Sequence, residues 1–560
     1  MKLFNYSLKF KLMMKTKLQL ILFFFLSFIS LKANSQINFH WEKRYNGTAS
    51  SIDEAKAVVT DNSGNIYVTG YSYNTGSFDD YTTIKYNPGG EQQWVALYNG
   101  ASNSNDQAST IAVDNLGNVY VSGYVTVNVT SYDYATIKYN SNGIQQWEAI
   151  YNGIGNGIDY VTSLVVDASA NVYVTGQSYG GSSTSYDYLT IKYNSAGTQQ
   201  WVARFDGAAN GNDEASSIAV DNTGNVYVTG MSFQSAVASF NYATVKYNSS
   251  GAQQWAVTYN GPVNGIDAAN SVKADNSGNV YVTGYSRGMG SLYDYATVKY
   301  NSLGAQQWAT RHNGPANGND EANALVLDGN GNVYVTGYSV INGTTSDYAT
   351  IKYDSIGVRR WIAIYNGPAN QNDSATSMAI DSGGNIFVTG YSTGSGTSRD
   401  YATVKYNNNG VQMWSARFNG GISGNDVANS VAIDLIGDVY VAGKSAGSGS
   451  SDDFVTLKYS KTSGIHIISS AIENGFKLFD NYPNPFNTST KISFNIPKSS
   501  FVKLNIFDIT GKEIETLVNG RLEDGLYEVT FNPTGLSSKM YFYRLEAGDF
   551  IQTKKMILIK

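Results

Sequence analysis

All eight tryptophans of the chain, Trp41, Trp94, Trp147, Trp201, Trp255, Trp308, Trp361 and Trp414, lie 53 or 54 residues apart. A spacing this regular requires one supersecondary unit repeated along the chain, each copy burying its apolar face against its neighbours. The unit reads as four short strands, represented by "DEASSIAVD", "NVYVTGYS", "DYATIKYN" and "QQWVALYNG". Asp-x-x-Gly-Asn follows the first strand in most units, as at Asp61 to Asn65 and Asp114 to Asn118, which predicts a tight hairpin. The segments after the second and fourth strands are longer and vary. The two 54-residue periods arise in the former, where Gly176 to Asp187 and Gly230 to Asn241 each hold one extra residue.

Four-stranded units rich in glycine and tyrosine, with only 15% charged residues, predict an all-β β-propeller. Over residues 37–460 the motifs resemble the bacterial SBBP-type β-propeller repeat family, whose members are nominally seven-bladed. Counting the aspartates that open the first strand predicts eight blades here: Asp53, Asp106, Asp159, Asp213, Asp267, Asp320, Asp373 and Asp426. If "SIAVD" is the innermost strand, as the resemblance implies, the tryptophan strand is outermost. The last unit ends at "DDFVTLKYS" without one, and "FHWEKRYNG" around Trp41 would supply it. Such a ring has no open edge.

The first 35 residues differ in character. Lys2, Lys9, Lys11, Lys15 and Lys17 precede an apolar run from Leu18 to Leu31, and Ala33 and Ser35 stand at cleavage spacing. The run is short for a membrane span, so residues 1–35 are expected to be a secretory signal peptide that leaves no integral membrane segment after cleavage. An exported chain without cysteine must draw stability from packing and strand pairing. Loss of the six lysines in residues 1–35 moves the formal charge from -6 to -12. Residues 36–460, the expected propeller, carry 34 acidic and 20 basic side chains. That surface repels nucleic acid and favours cations or neutral partners.

Residues 461–475, "KTSGIHIISSAIENG", break the repeat and read as a linker. Beyond it, "KISFNIP", "VKLNIFD", "LYEVTFN", "YFYRLEAG" and "KKMILIK" are short alternating strands that predict a small Ig-like β-sandwich over 476–560. "FKLFDNYPNPFNTSTKISFNIP", "VKLNIFDITGKEIETLV", "YFYRLEAGDF" and "KKMILIK" together resemble the type A C-terminal sorting domain of the type IX secretion system. One departure is "SSKMY", where Lys539 interrupts a turn that commonly carries a Ser-Gly pair. The resemblance implies a Bacteroidota-type bacterium and export through the type IX machinery, which would read residues 476–560. It further implies removal of this domain, with the propeller released or held at the cell surface.

Three acidic series recur with the repeat. The first is the strand-opening set above. The second comprises the hairpin aspartates Asp61, Asp114, Asp167, Asp221, Asp275, Asp328, Asp381 and Asp434, and the third Asp80, Asp133, Asp187, Asp294, Asp347, Asp400 and Asp453, with Asn241 in the remaining unit. A lysine series (Lys85, Lys138, Lys192, Lys246, Lys299, Lys352, Lys405 and Lys458) accompanies them. A residue present in every blade solves a problem every blade has, so this lattice is expected to cap turns and pair blades. The alternative for the first series is a ring of carboxylates at the channel mouth that binds Ca2+. Asp61, Ser63 and Asn65 have the alternate spacing of a calcium loop but lack its glycine and its bidentate glutamate, so the hairpin explains them better.

The long segments after strands two and four are expected on one face, the candidate surface for an unknown protein or glycan ligand. Tyr71, Tyr73, Tyr179, Tyr186, Tyr285 and Tyr293 lie in or beside them, as blade-packing caps or as stacking platforms. His40, His312 and His466 are scattered, and without cysteine there is no zinc or thiol site, so no catalytic residue is expected. The expected function is non-catalytic binding or scaffolding. The alternatives are a hydrolase or lyase using a carboxylate cluster in the channel, and a structural envelope protein.

Overall fold

The computed structural model describes residues 37–559, apart from 128–130, 183–184, 236–238, 344, 462–465, 470–474, 523, 532 and 534–535. The expected signal peptide, residues 1–35, lies outside the described residues. Among those described, the repeats form eight four-stranded antiparallel sheets, the blades. Blade 1 runs Asp53–Thr60, Ile66–Asn74, Phe78–Tyr86, Gln92–Tyr98 from the inside outward. Blades 2 to 7 repeat it, with inner strands Gln107–Val113, Asp159–Val166, Asp213–Val220, Asp267–Ala274, Glu321–Leu327 and Asp373–Ile380. Blade 8 is composite: Val427–Ile433, Val439–Ala446 and Asp452–Lys461 come from the end of the repeats, and Ile37–Tyr45 from their start. This strand is the outermost of blade 8, with Trp41 opposite Lys458 and Tyr45 opposite Phe454. The protein is an all-β, eight-bladed propeller closed by its own N-terminal strand.

Each blade is sandwiched between two others, so its second and third strands are buried on both faces and read as runs without alternation: Ile66 to Gly70 and Tyr81 to Ile84 are buried throughout. Neighbouring blades are tied at three radii. At the inner strands Thr162 Oγ1, Asn270 Nδ2, Asn323 Nδ2 and Thr376 Oγ1 donate to the carbonyls of Ala215, Ala322, Ala375 and Ala428 in the next blade, and Asn429 Nδ2 completes the circuit onto Ala55 O at 2.8 Å. At mid-radius buried tyrosines do the same, as Tyr295 OH does to Ala349 O at 3.0 Å. At the outer strand the indole N–H of Trp94 and the ammonium of Lys85 both donate to Ser141 O of the next blade, at 3.1 and 3.0 Å. The ring-closing copy is Trp41 and Lys458 on Pro88 O, at 3.4 and 2.9 Å.

The indole also needs room. Gly143, with φ of 79°, turns the chain under Trp94 so closely that a Cβ there would lie 2.6 Å from Trp94 Cδ2. Gly143→Ala therefore combines left-handed backbone strain with displacement of the indole, and should lower stability by about 2–4 kcal/mol in urea melts.

One expectation needs correction. The segment after the second strand is not a long loop: in blade 3 the second strand continues to Gly181 and the third begins at Ser185. Cross-strand aromatic pairs extend the ladder, Tyr179 with Tyr186 at 5.6 Å and Phe233 with Phe240 at 5.5 Å between ring centroids. The extra residue of each 54-residue unit is absorbed as an irregularity at Tyr179/Gly181 and Phe233/Ser235.

The C-terminal strands form two four-stranded sheets, His466–Ser469, Gly525–Phe531, Thr490–Ile496, Lys477–Leu478 and Glu513–Leu522, Ser500–Phe507, Lys539–Ala547, Phe550–Leu558. They share one core, to which Ile492, Phe494 and Val529 contribute from the first and Leu504, Ile506 and Tyr543 from the second. Part of the 461–475 segment expected to be linker is thus an edge strand, pairing His466 with Glu528 and Ile467 with Tyr527. Its β-branched run suits a strand, although the surrounding composition reads as a connector.

Candidate functional site

The eight strand-opening aspartates do not line a channel mouth. Each is fully buried, at 0% exposure. Gly47 N–H donates to one oxygen of Asp53 and Tyr73 N–H to the other, both at 2.8 Å. The pattern recurs around the ring, with Gly153 and Tyr179 on Asp159, Gly261 and Arg287 on Asp267, and Gly420 and Ala446 on Asp426. Each carboxylate staples the glycine turn that enters its blade to the second strand of that blade. Buried backbone N–H groups in a turn need acceptors, and this explains the series without an ion. Burial still dominates the electrostatics, pushing Asp53, Asp106 and Asp213 up to about 6 despite the donors.

The hairpin series caps turns, as its spacing predicts. Asp61 Oδ1 accepts the N–H groups of Ser63 and Asn65 at 2.9 Å, while Oδ2 accepts Asn65 Nδ2 and Tyr67 OH. These donors outweigh burial and hold Asp61 below its ordinary value. In the third series Asp187, Asp294 and Asp400 pair with outer-strand arginines, Arg204, Arg311 and Arg417, at 2.7, 2.8 and 2.6 Å. Asp187, Asp206 and Asp213 bring carboxylate oxygens within 4.8 Å of one another, and the Arg204 guanidinium supplies the countercharge.

An irregularity at Ala55/Ala57 brings Glu54 O so close to Gly70 that a Cβ would lie 1.9 Å from it, which requires glycine there. The residue after this glycine faces the end of the inner strand. It is Tyr71, Tyr124, Tyr285, Tyr338 and Tyr391 in five blades, and Gln177, Met231 and Lys444 in the others. The tyrosines fall in two groups on neighbouring blades, Tyr71 beside Tyr124 and Tyr338 beside both Tyr285 and Tyr391, separated by Gln177 and Met231 on one side and Lys444 on the other. Carboxylates interleave with them, Glu214 and Glu321 beside Tyr285, and Glu54 accepting Tyr71 OH at 3.0 Å. Burial raises Glu214 and Glu321 above their ordinary value. Burial also acts on Glu54, but Lys56, Lys444 and Asn429 more than offset it and hold it low. The product is a half-buried arc of phenol rings and carboxylates that suits a neutral polyhydroxylated or cationic group and disfavours an anion.

Of the tyrosines singled out by sequence, Tyr71 and Tyr285 belong to this arc. Tyr73 packs edge-on against Phe78, Tyr179 against Tyr186, and Tyr285 also against Tyr293 at 5.0 Å. Tyr124, Tyr132 and Tyr160, not singled out, cluster with centroids 4.6 to 5.4 Å apart across blades 2 and 3. His312 is buried edge-on against Tyr295 and desolvation lowers it to about 4, a packing residue. A groove of about 670 Å³ lies at the opposite end, between the first hairpins of blades 2 and 3, but its aspartates, Asp114 and Asp167, are turn caps.

Residues 480–560 match the family described as secretion system C-terminal sorting domain, and residues 43–78, 93–128, 200–232, 307–343 and 361–396 match the β-propeller repeat SBBP. The protein carries SBBP β-propeller repeats and a type IX sorting tail. Chains with this tail are exported by the type IX system to the cell surface or extracellular space. A curated relative, the uncharacterized WD repeat-containing protein L264 of Acanthamoeba polyphaga mimivirus, is 24% identical over 62% of this chain. The match spans about a third, 31%, of that relative's length. Similar solved structures include PorZ, a surface component of the type IX secretion system of Porphyromonas gingivalis (12% identity, 89% of this chain and 73% of that one, TM-score 0.28). Another is the propeller domain of the Trilobed protease from Pyrococcus furiosus (8% identity, 60% of this chain and 88% of that one, TM-score 0.33). No helix among the described residues is long and apolar enough to cross a membrane.

Proposed function

We propose that the propeller is a non-catalytic binding module whose ligand, a glycan or a protein segment, seats on the arc of Tyr71, Tyr124, Tyr285, Tyr338 and Tyr391 with Glu214 and Glu321. One observation carries this reading. The invariant columns of the repeat are consumed by blade building, whereas the arc occupies columns that change from blade to blade and keeps polar groups at the end of the inner strands. Variation within a constant scaffold is what a single asymmetric ligand requires of a symmetric ring.

The test is a screen of the secreted protein against immobilised glycans and envelope extracts, repeated with a Tyr285→Ala, Tyr338→Ala variant. The expected outcome is a loss of binding of at least about tenfold, since truncating interface tyrosines typically costs more than about 1 kcal/mol each. Undiminished binding by a folded double variant places the ligand elsewhere. Turnover of a bound glycan that disappears in Glu321→Gln refutes the non-catalytic reading.

A further inference from the structure

The place occupied by the outer-strand arginines is filled by a donor in six of the eight blades. In blade 3, Arg204 donates to Asp187 Oδ2 at 2.7 Å, Ser178 Oγ at 2.7 Å and Ser178 O at 3.1 Å. Blades 5 and 7 repeat the arrangement, Arg311 on Asp294, Ser286 Oγ and Ser286 O, and Arg417 on Asp400, Ser392 Oγ and Ser392 O. In blade 8 Arg44 reaches Asp453, Ser445 Oγ and Ala446 O. Blades 1 and 4 have Leu97 and Thr258 at the arginine position, and a side-chain amide from the second strand substitutes. Asn74 Nδ2 donates to Ser72 O, Ser72 Oγ and Asp80, and Gln234 Nε2 to Ser232 O and Oγ. Blade 2 lacks the acceptor set, because Val125 replaces the serine.

Blade 6 keeps all three acceptors and has neither donor. Asp347 and Ser339 stand in register with each other as their counterparts do, and both are buried, at 3% and 0% exposure. The arginine position, opposite Ala349, is Ile364, and the amide position is Ile341. Among the described residues no ion pair, guanidinium or side-chain amide reaches Asp347, and its Oδ1 has no hydrogen-bond partner, as in the sibling aspartates; Ser339 Oγ has only Asp320 within hydrogen-bonding reach. Asp320 lies alongside Ser339, its two oxygens committed to Gly314 and Val340 N–H groups. A carboxylate, a hydroxyl and a carbonyl, with a second carboxylate beside them, form a hard oxygen set. Six sibling blades show that this place is built around a donor or a positive charge.

We propose that blade 6 binds a calcium-class cation through Asp347, Ser339 Oγ and Ser339 O, which does for this blade what a guanidinium does in blades 3, 5, 7 and 8. Oxygen ligands of this kind suit calcium. The test compares thermal melts of the full secreted chain in chelated buffer and in millimolar CaCl2. The wild type should gain about 2–3 °C, bind one ion per chain by calorimetry, and lose both properties in Asp347→Asn. Ile364→Arg supplies the guanidinium internally, so it should melt above the wild type in chelated buffer and no longer respond to calcium. Absence of a calcium response in the wild type, or a response that persists in Ile364→Arg and in Asp347→Asn, overturns the proposal.

Discussion

Trp41→Ala will destabilise the propeller by about 4 kcal/mol, against about 1–2 kcal/mol for the equivalent Trp147→Ala, when the two are compared by equilibrium denaturation. The two tryptophans occupy the same position in the repeat but not the same environment. Trp41 is 8% exposed and packs against Tyr86 of blade 1 and Tyr440 of blade 8, at centroid distances of 6.0 and 6.1 Å. Trp147 is only half-buried between Tyr120 and Tyr193. Losing an ordinary outer tryptophan weakens one junction of a ring that stays closed. Trp41 lies on the strand that joins the two ends of the repeat array, so its loss also loosens the register of Ile37–Tyr45 on Asp452–Lys461. Deleting residues 37–45 should go further, leaving a three-stranded blade with an open edge. Broadened, non-two-state unfolding and faster proteolysis at blade 8 are expected. A deletion variant that melts with wild-type cooperativity would show that closure is not what holds the ring.

The second large effect is an inverted pH dependence. Asp133 and Asp347 are 2% and 3% exposed, and burial, with Asp159 and Asp373 adding repulsion, pushes both up to about 6. Burial brings Asp53, Asp106 and Asp213 to the same value. Unfolded aspartate titrates near 3.9, so the folded state holds these protons more tightly. The resulting stabilisation is fully present below about pH 4 and is lost as pH rises through 6. The hairpin aspartates Asp61, Asp114, Asp167, Asp221, Asp275 and Asp328 are held low, so their contribution is present above about pH 4 and is lost as pH falls further. In chelated buffer the melting temperature should therefore be about 5 °C higher at pH 5 than at pH 8, and should decline again below pH 3.5. Asp133→Asn should remove part of the difference without lowering stability at pH 8. A melting temperature that rises steadily from pH 5 to pH 8 would contradict this assignment of buried carboxylates.

Much of the architecture is legible in residue spacing, because a repeat makes every local choice eight times. Trp41 could be assigned to blade 8 without coordinates, since a four-strand unit missing its last member and a lone copy of that member are complementary. The hairpin aspartates were equally readable, because an Asx turn is a local hydrogen-bond pattern set by a few consecutive residues. The strand-opening aspartates were not. Counting them shows a ring of eight, but whether each carboxylate faces the channel or the interior depends on how the glycine turn of the preceding outer strand folds back over it. The cluster of strand-borne tyrosines and glutamates was not legible for a related reason. Loops carry the stronger sequence signal of variable length, whereas Tyr338, Tyr391, Glu214 and Glu321 sit within strands and signal themselves only as variable columns beside constant ones.

The periodicity of the sequence by itself determined the count of eight units and the match between the incomplete last unit and the lone Trp41 strand, because these follow from patterns that repeat at fixed separations; which strand is innermost came from the family resemblance. Only the tertiary structure decided what the strand-opening aspartates and the Asp187 to Asp347 column are for. Asp187 and Asp347 occupy the same column of the same repeat, yet Asp187 pairs with the guanidinium of Arg204, whereas the equivalent position in the blade of Asp347 is Ile364. Electrostatic roles are set by what lies within a few ångströms, and those neighbours come from a paired strand rather than from the residues adjoining in sequence.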